Sequence, residues 1–146
     1  MNEESFTTTL SVDESPDCVF AAAANVRGWW SSDIEGVTDT AGAEFIYRYQ
    51  DIHFSKQLIT EFNPNERIVW KVQDAFLNFT KDPKEWIGTE IIFEVCRRSN
   101  KTELCFTHKG LTQTFECYDA CSDAWSFYIG ESLKNLILTG TGKANE

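Results

Sequence analysis

The chain of 146 residues carries 23 Asp+Glu against 13 Lys+Arg, a formal net charge of −10, and 20 aromatic residues (5 Trp, 4 Tyr and 11 Phe). The length fits one domain, 1–146, and 42% apolar with 25% charged residues can build a buried core. Acid excess without a basic run excludes phosphate-driven binding to nucleic acid or to anionic membranes, and no apolar run approaches the ~18 residues of a membrane span.

The opening MNEESFTTTL is polar and acidic and has no signal-peptide pattern, so a cytoplasmic location is expected. Five cysteines is an odd number, and their spacing matches neither a disulfide framework nor a zinc motif. Cys117 and Cys121 fall on one helical face, and Cys96 and Cys105 flank a hairpin turn. With His53 and His108 far apart in sequence, reduced thiols and no metal or other cofactor are expected.

In chain order, residues 5–13 alternate, with Phe6, Thr8, Leu10 and Val12 on one face of a strand. Ser15-Pro16-Asp17 starts a short helix that runs to about Asn25, with Gly28 as its breaker before Trp29-Trp30. Three antiparallel strands follow. Phe45, Tyr47 and Tyr49 share a face of the first. Ile52, Phe54, Leu58 and Phe62 share a face of the second. Ile68, Trp70 and Val72 align on the third, after the Asn63-Pro64-Asn65-Glu66 turn. Residues 74–86 read as an apolar loop with a short helical turn, folding over something. Two strands, about 88–97 and 102–109, meet at Ser99-Asn100. A tight turn sets Phe93 opposite Phe106. A one-residue shift sets Cys96 opposite Cys105, and both registers keep the same apolar face. A long helix from about Tyr118 to Thr139 carries a stripe of Cys121, Trp125, Tyr128, Ile129, Ser132, Leu133, Leu136 and Ile137, capped by Gly140. Residues 141–146 read as a tail.

The predicted class is α+β. A curved antiparallel sheet wraps the long C-terminal helix, with short helical structure after the first strand. The stretches VDESPDCVFAAAANVRGWW (12–30), ITEFNPNERIVWKV (59–72), GTEIIFEV (88–95), TELCFTHKGL (102–111) and WSFYIGESLKNLILTG (125–140) carry a resemblance. The chain resembles the START-like (SRPBCC, helix-grip) superfamily, and within it single-domain relatives of the C-terminal domain of the activator of heat-shock-protein ATPase. The resemblance implies a sheet of six or more strands and a cavity between sheet and helix. It also implies a guest such as a lipid, sterol or polyketide-like molecule, a cyclase-type activity, or a protein partner such as a chaperone in stress response; fold alone does not choose.

On this reading the inner face holds Tyr47, Tyr49, Phe54, Trp70, Phe93, Phe106, Trp125 and Tyr128, with Trp30 and the 74–86 loop at one end. These rings either fill the core or line a pocket for a small hydrophobic or amphipathic ligand. Lys56 shares the parity of Phe54. Pointing inward, it would meet a ligand's anionic group; a bulge or early strand end would turn it to solvent, which is the preferred reading. His108 has inward parity and is either a ligand contact, an acid–base group, or a satisfied structural histidine. His53 has the opposite parity and is expected at the surface. Glu44, Glu90, Glu94 and Glu103 form a solvated outer face. No hydrolase, metalloprotease or phosphate-loop motif is present, and a binding protein is preferred over an enzyme.

Overall fold

The computed structural model describes residues 5–112, 115–116 and 118–144. Strand β1 (Phe6–Val12) leads into helix α1 (Pro16–Ala24) and a single turn α2 (Val26–Trp29). Strands β2 (Ile34–Gly36), β3 (Glu44–Tyr49), β4 (His53–Asn63), β5 (Arg67–Leu77), β6 (Glu90–Arg98) and β7 (Lys101–Lys109) follow. The chain then forms the C-terminal helix, as α3 (Tyr118–Phe127), a π-helical segment (Tyr128–Leu133) and α4 (Lys134–Thr139). The strands form one antiparallel sheet in the order β1-β7-β6-β5-β4-β3-β2. Its covered face packs on α1, α2 and the C-terminal helix, the expected helix-grip arrangement.

The hairpin β6–β7 takes the tight register: Phe93 faces Phe106 and Cys96 faces Glu103. Ser99 adopts a left-handed φ of 55° at the turn, which suits a two-residue loop. Cys96 and Cys105 therefore do not oppose each other, and both keep free thiols, as does Cys18. Cys117 lies outside the described residues. Among the described residues, no group of three or more His, Cys, Asp or Glu gathers to hold a metal ion, and no helix is long and apolar enough to cross a membrane.

Strand β4 corrects the sequence reading. Tyr47 pairs with Ser55 and Phe45 with Gln57, so the covered face of its first half holds His53, Ser55, Gln57 and Ile59. Phe54, Lys56 and Leu58 point the other way. A bulge between Ile59 and Glu61 then reverses the alternation, and Phe62 does reach the covered side, with its ring 5.1 Å from Phe20. A single period of two across both halves cannot describe a strand with a bulge. The apolar set that looked continuous spans two faces.

Three further segments differ. Gly28 lies inside α2 rather than ending a helix, because Asn25 closes α1 and a new turn begins. Strand β5 extends to Leu77, into the segment read as loop, after a second register shift opposite Lys56/Gln57. Residues 141–144 pack back on the body instead of trailing as a tail. Ser132 donates its hydroxyl to Trp29 O at 2.7 Å and accepts from the Lys143 backbone N–H at 2.7 Å. A Cβ on Gly142 would lie 2.2 Å from Gly28 O, so this contact admits only glycine. Gly140 ends the helix in the left-handed conformation at φ 86°, as its sequence position suggests.

Gly142→Ala should therefore lower stability by about 1–3 kcal/mol in urea unfolding, as overpacking does. Gly130→Ala, where an added Cβ meets nothing within 4 Å, should leave it unchanged or raise it. Equal behaviour of the two variants would contradict the docked C-terminal segment.

Candidate functional site

All five tryptophans are buried and touch in one continuous cluster. Trp30 stacks on Tyr47 at 4.0 Å with 10° between planes, and on Trp70 at 5.8 Å and 10°. Trp29 stacks on Trp30 and Trp70 at 6.1 and 6.5 Å. Trp125 sits 5.0 Å from Trp30 and stacks 6.1 Å from Trp86. Each such pair adds ~0.5–1.5 kcal/mol beyond the area it buries. The placement follows from the local elements. Trp29 and Trp30 close α2, Trp70 lies mid-strand on β5, Trp125 comes from α3, and the loop after β5 delivers Trp86.

One side of this cluster does not close. A cavity of about 260 Å³ lies between the sheet and α3. Its deep wall consists of the buried Trp30, Tyr47, Trp86, Cys121 and Trp125, while the more exposed Phe79, Ala120 and Ala124 mark its mouth. Tyr49, Ile52, His53 and Tyr128 complete the lining. The loop that supplies Phe79 and Trp86 is tied down. The Leu77 N–H donates to Pro83 O at 2.8 Å, and the Lys81 N–H donates to the Glu116 carboxylate at 2.8 Å, just before α3.

Of the candidates named from sequence, Trp30, Tyr47, Tyr49, Trp125 and Tyr128 line the cavity. Trp70, Phe93 and Phe106 lie in the solid core behind it; Phe93 is 4.9 Å from Trp70 and 5.3 Å from Phe106. Phe54 and Lys56 are on the opposite face of the sheet. Phe54 packs beneath the Arg48 guanidinium, 5.8 Å from the ring centre, and Lys56 pairs with Glu44 at 3.5 Å. The β3–β4 register corrects the inward reading of Phe54 and sets Lys56 on the exposed side, the orientation preferred for it from sequence. His108 does not line the cavity but stands behind Trp86 and Trp125, with ring centres 4.7 and 6.1 Å away.

The sequence matches the family model "Activator of Hsp90 ATPase homolog 1-like protein" over residues 15–137. The chain belongs to this family. Its fold is similar to the solution structure of the Aha1 dimer from Colwellia psychrerythraea, at TM-score 0.77 and 24% identity over 96% of this chain and 100% of that one. It is also similar to protein SSP2350 from Staphylococcus saprophyticus, at TM-score 0.72 and 17% identity over 98% of each chain. CalU16 from Micromonospora echinospora gives TM-score 0.66 and 15% identity over 95% of this chain and 76% of that one. At these identities the solved structures speak for the fold. No curated protein matches the sequence. Members of the activator family and its helix-grip relatives bind ligands or activate the Hsp90 ATPase.

In this family member the two histidines flank Trp86. His53, expected at the surface, packs edge-on against Trp86 at 4.5 Å and Tyr47 at 5.0 Å. The residue as a whole is half-buried, yet its Nε2 is sealed from solvent. His108 is fully buried. The Trp125 indole can only donate, so its Nε1–H at 3.1 Å fixes His108 Nδ1 as an acceptor. The His108 proton then sits on Nε2 and is donated to Thr89 Oγ1 at 2.8 Å, while the Thr89 hydroxyl donates to Trp86 O at 2.7 Å. With both nitrogens occupied, His108 is a structural group that anchors Trp86 and Trp125, not a free acid or base. Burial pushes both imidazoles down to about 3, with the neighbouring His53 adding to the effect at His108.

The sign of the resulting pH effect follows directly. The unfolded histidines take up protons near pH 6.5 and the folded ones near 3, so stability is complete above about 6.5 and falls as pH drops toward 3. Each histidine contributes up to ~1.4 kcal/mol per pH unit in that window. Urea midpoints should fall from pH 7 to pH 5, above the ordinary carboxylate range, and His53→Phe should reduce the slope by about half. A wild-type midpoint flat over this range would contradict the neutral buried pair.

Proposed function

We propose that this protein binds a small hydrophobic or amphipathic molecule in the cavity between the sheet and α3. The observation that carries the reading is the pairing of a cavity of about 260 Å³ with walls of indole and phenol rings. Ligand sites are concave, mainly apolar and sparsely polar. The volume exceeds the ~150 Å³ that admits benzene in an engineered apolar cavity. It falls short of the ~300–1,000 Å³ common for drug-sized guests. An acid–base reading from His108, Lys56 or a Tyr is supported less: Lys56 is on the far face and His108 is fully hydrogen-bonded, which leaves only the tyrosines in the cavity lining. A chaperone-accessory role, with Hsp90 as the natural partner to assay, rests on family membership alone, while ligand binding is also supported by the cavity.

A saturating ligand should stabilise the fold by ~2.7 kcal/mol at a hundredfold excess over Kd, or several degrees in Tm. Native mass spectrometry should show a one-to-one complex. Ala124→Trp at the mouth should abolish the thermal shift while the protein stays folded, and Lys56→Ala should leave it intact. Absence of any stabilising molecule from a broad apolar library, or equal stabilisation of the Ala124→Trp variant, would overturn the reading.

A further inference from the structure

Two residues of the cavity lining carry polar atoms without partners, sealed behind the cavity surface. The Trp86 Nε1–H and the His53 Nε2 are both closed off from solvent, and neither meets a partner among the described residues. Both residues line the cavity, and their rings touch, with centres 4.5 Å apart. A buried polar atom without a partner is costly and uncommon in native structures. Trp70 Nε1–H in the same cluster also lacks a partner, but Trp70 does not line the cavity, whereas two other indoles are satisfied. The Trp29 Nε1–H donates to Ala23 O at 3.0 Å and the Trp125 Nε1–H to His108.

The charge of the lining is equally informative. No Lys or Arg is among the described residues that line the cavity, and the chain carries a net charge of −10. A carboxylate or phosphate drawn inside would be desolvated without a counter-ion. The neutral His53 imidazole cannot supply one. The walls also select shape. Trp30 lies parallel to Tyr47 within 10°, and Trp86 lies within 17° of Trp125, so two stacked pairs of rigid rings bound the space. The volume of about 260 Å³ accommodates one or two fused rings.

We infer that the guest is an uncharged molecule of one or two rings bearing a hydroxyl or carbonyl oxygen, and that this oxygen engages Trp86 Nε1–H and His53 Nε2 once a small turn of the two rings opens these sealed atoms to the cavity. This deepens the proposed cavity function and rests on it. A hydroxyl suits both groups, because it accepts from the indole and donates to an unprotonated Nε2. A carbonyl serves the indole and, in the other tautomer, the imidazole as well. Recognition of this kind discriminates strongly against the isostere lacking the oxygen, since the protein groups then stay unpaired.

Equilibrium dialysis of the intact protein against 2-naphthol, 2-methylnaphthalene and decanoate separates the claims. The two bicyclic probes have nearly the same size and differ in the hydroxyl. The inference expects 2-naphthol to bind about tenfold more tightly than 2-methylnaphthalene, the worth of about one hydrogen bond, and decanoate to bind more weakly than either. Trp86→Phe and His53→Phe should each shrink the naphthol preference while 2-methylnaphthalene still binds. The comparison between probes on the wild-type protein stands even if a variant fails to fold. Equal binding of the two bicyclic probes, or preferential binding of decanoate, would overturn the inference and leave a generic apolar cavity in place. Binding of none of the three, together with no stabilising molecule in the library, would remove the cavity reading itself.

Discussion

The structure depends on one constraint: five indoles must share the space between a seven-stranded sheet and one helix. Trp29, Trp30, Trp70, Trp86 and Trp125 arrive from α2, β5, a loop and α3, and each touches at least one other. Side chains this large and rigid pack only in a few mutual orientations. Trp30 takes the slot beneath Tyr47. Trp86 and Trp125 are held by His108, whose tautomer is set by what each neighbour can donate or accept. The cavity is the space these fixed planes leave at the end where α3 begins. Its shape comes from the core itself and not from a flexible lining.

That constraint also explains the polarity of β4. Phe45 and Tyr47 already project from β3, and Trp70 from β5. The strand between them contributes Ser55 and Gln57 inward and sends Phe54 and Leu58 outward. A strand with its small polar side chains facing the core is the complement of bulky neighbours. Gln57 Nε2 donates to Ser55 Oγ at 2.6 Å, which satisfies part of the buried pair.

The architecture was legible because its signals are long-period and redundant. The stripe on residues 118–139, Gly140, and the parities of β1, β3, β6 and β7 all point one way. Family resemblance led to the same fold, which the family match over residues 15–137 supports. The site was only half legible. Trp30, Tyr47, Tyr49, Trp125 and Tyr128 follow from strand parity and helix phase. Phe79 and Trp86 were signalled only by apolar residues in an irregular segment. His53 was missed because a bulge downstream inverts the alternation that assigned it outward, and the same inversion placed Phe54 inside and gave Lys56 its inward parity. Ala120, Cys121 and Ala124 lie on the N-terminal half of the helix, where small residues leave room. Periodicity reports which face they occupy but not that space remains in front of them.

The central claim is that the indole cluster is one solid wall with a guest-sized space on a single side. The most direct measurement follows the five indole Nε1–H resonances of uniformly 15N-labelled protein during titration with 2-naphthol. The account predicts large shifts at Trp30, Trp86 and Trp125, which line the cavity, and small ones at Trp29 and Trp70, which lie behind it. Equal shifts at all five, or shifts confined to backbone amides on the outer face of β6 and β7, would contradict it.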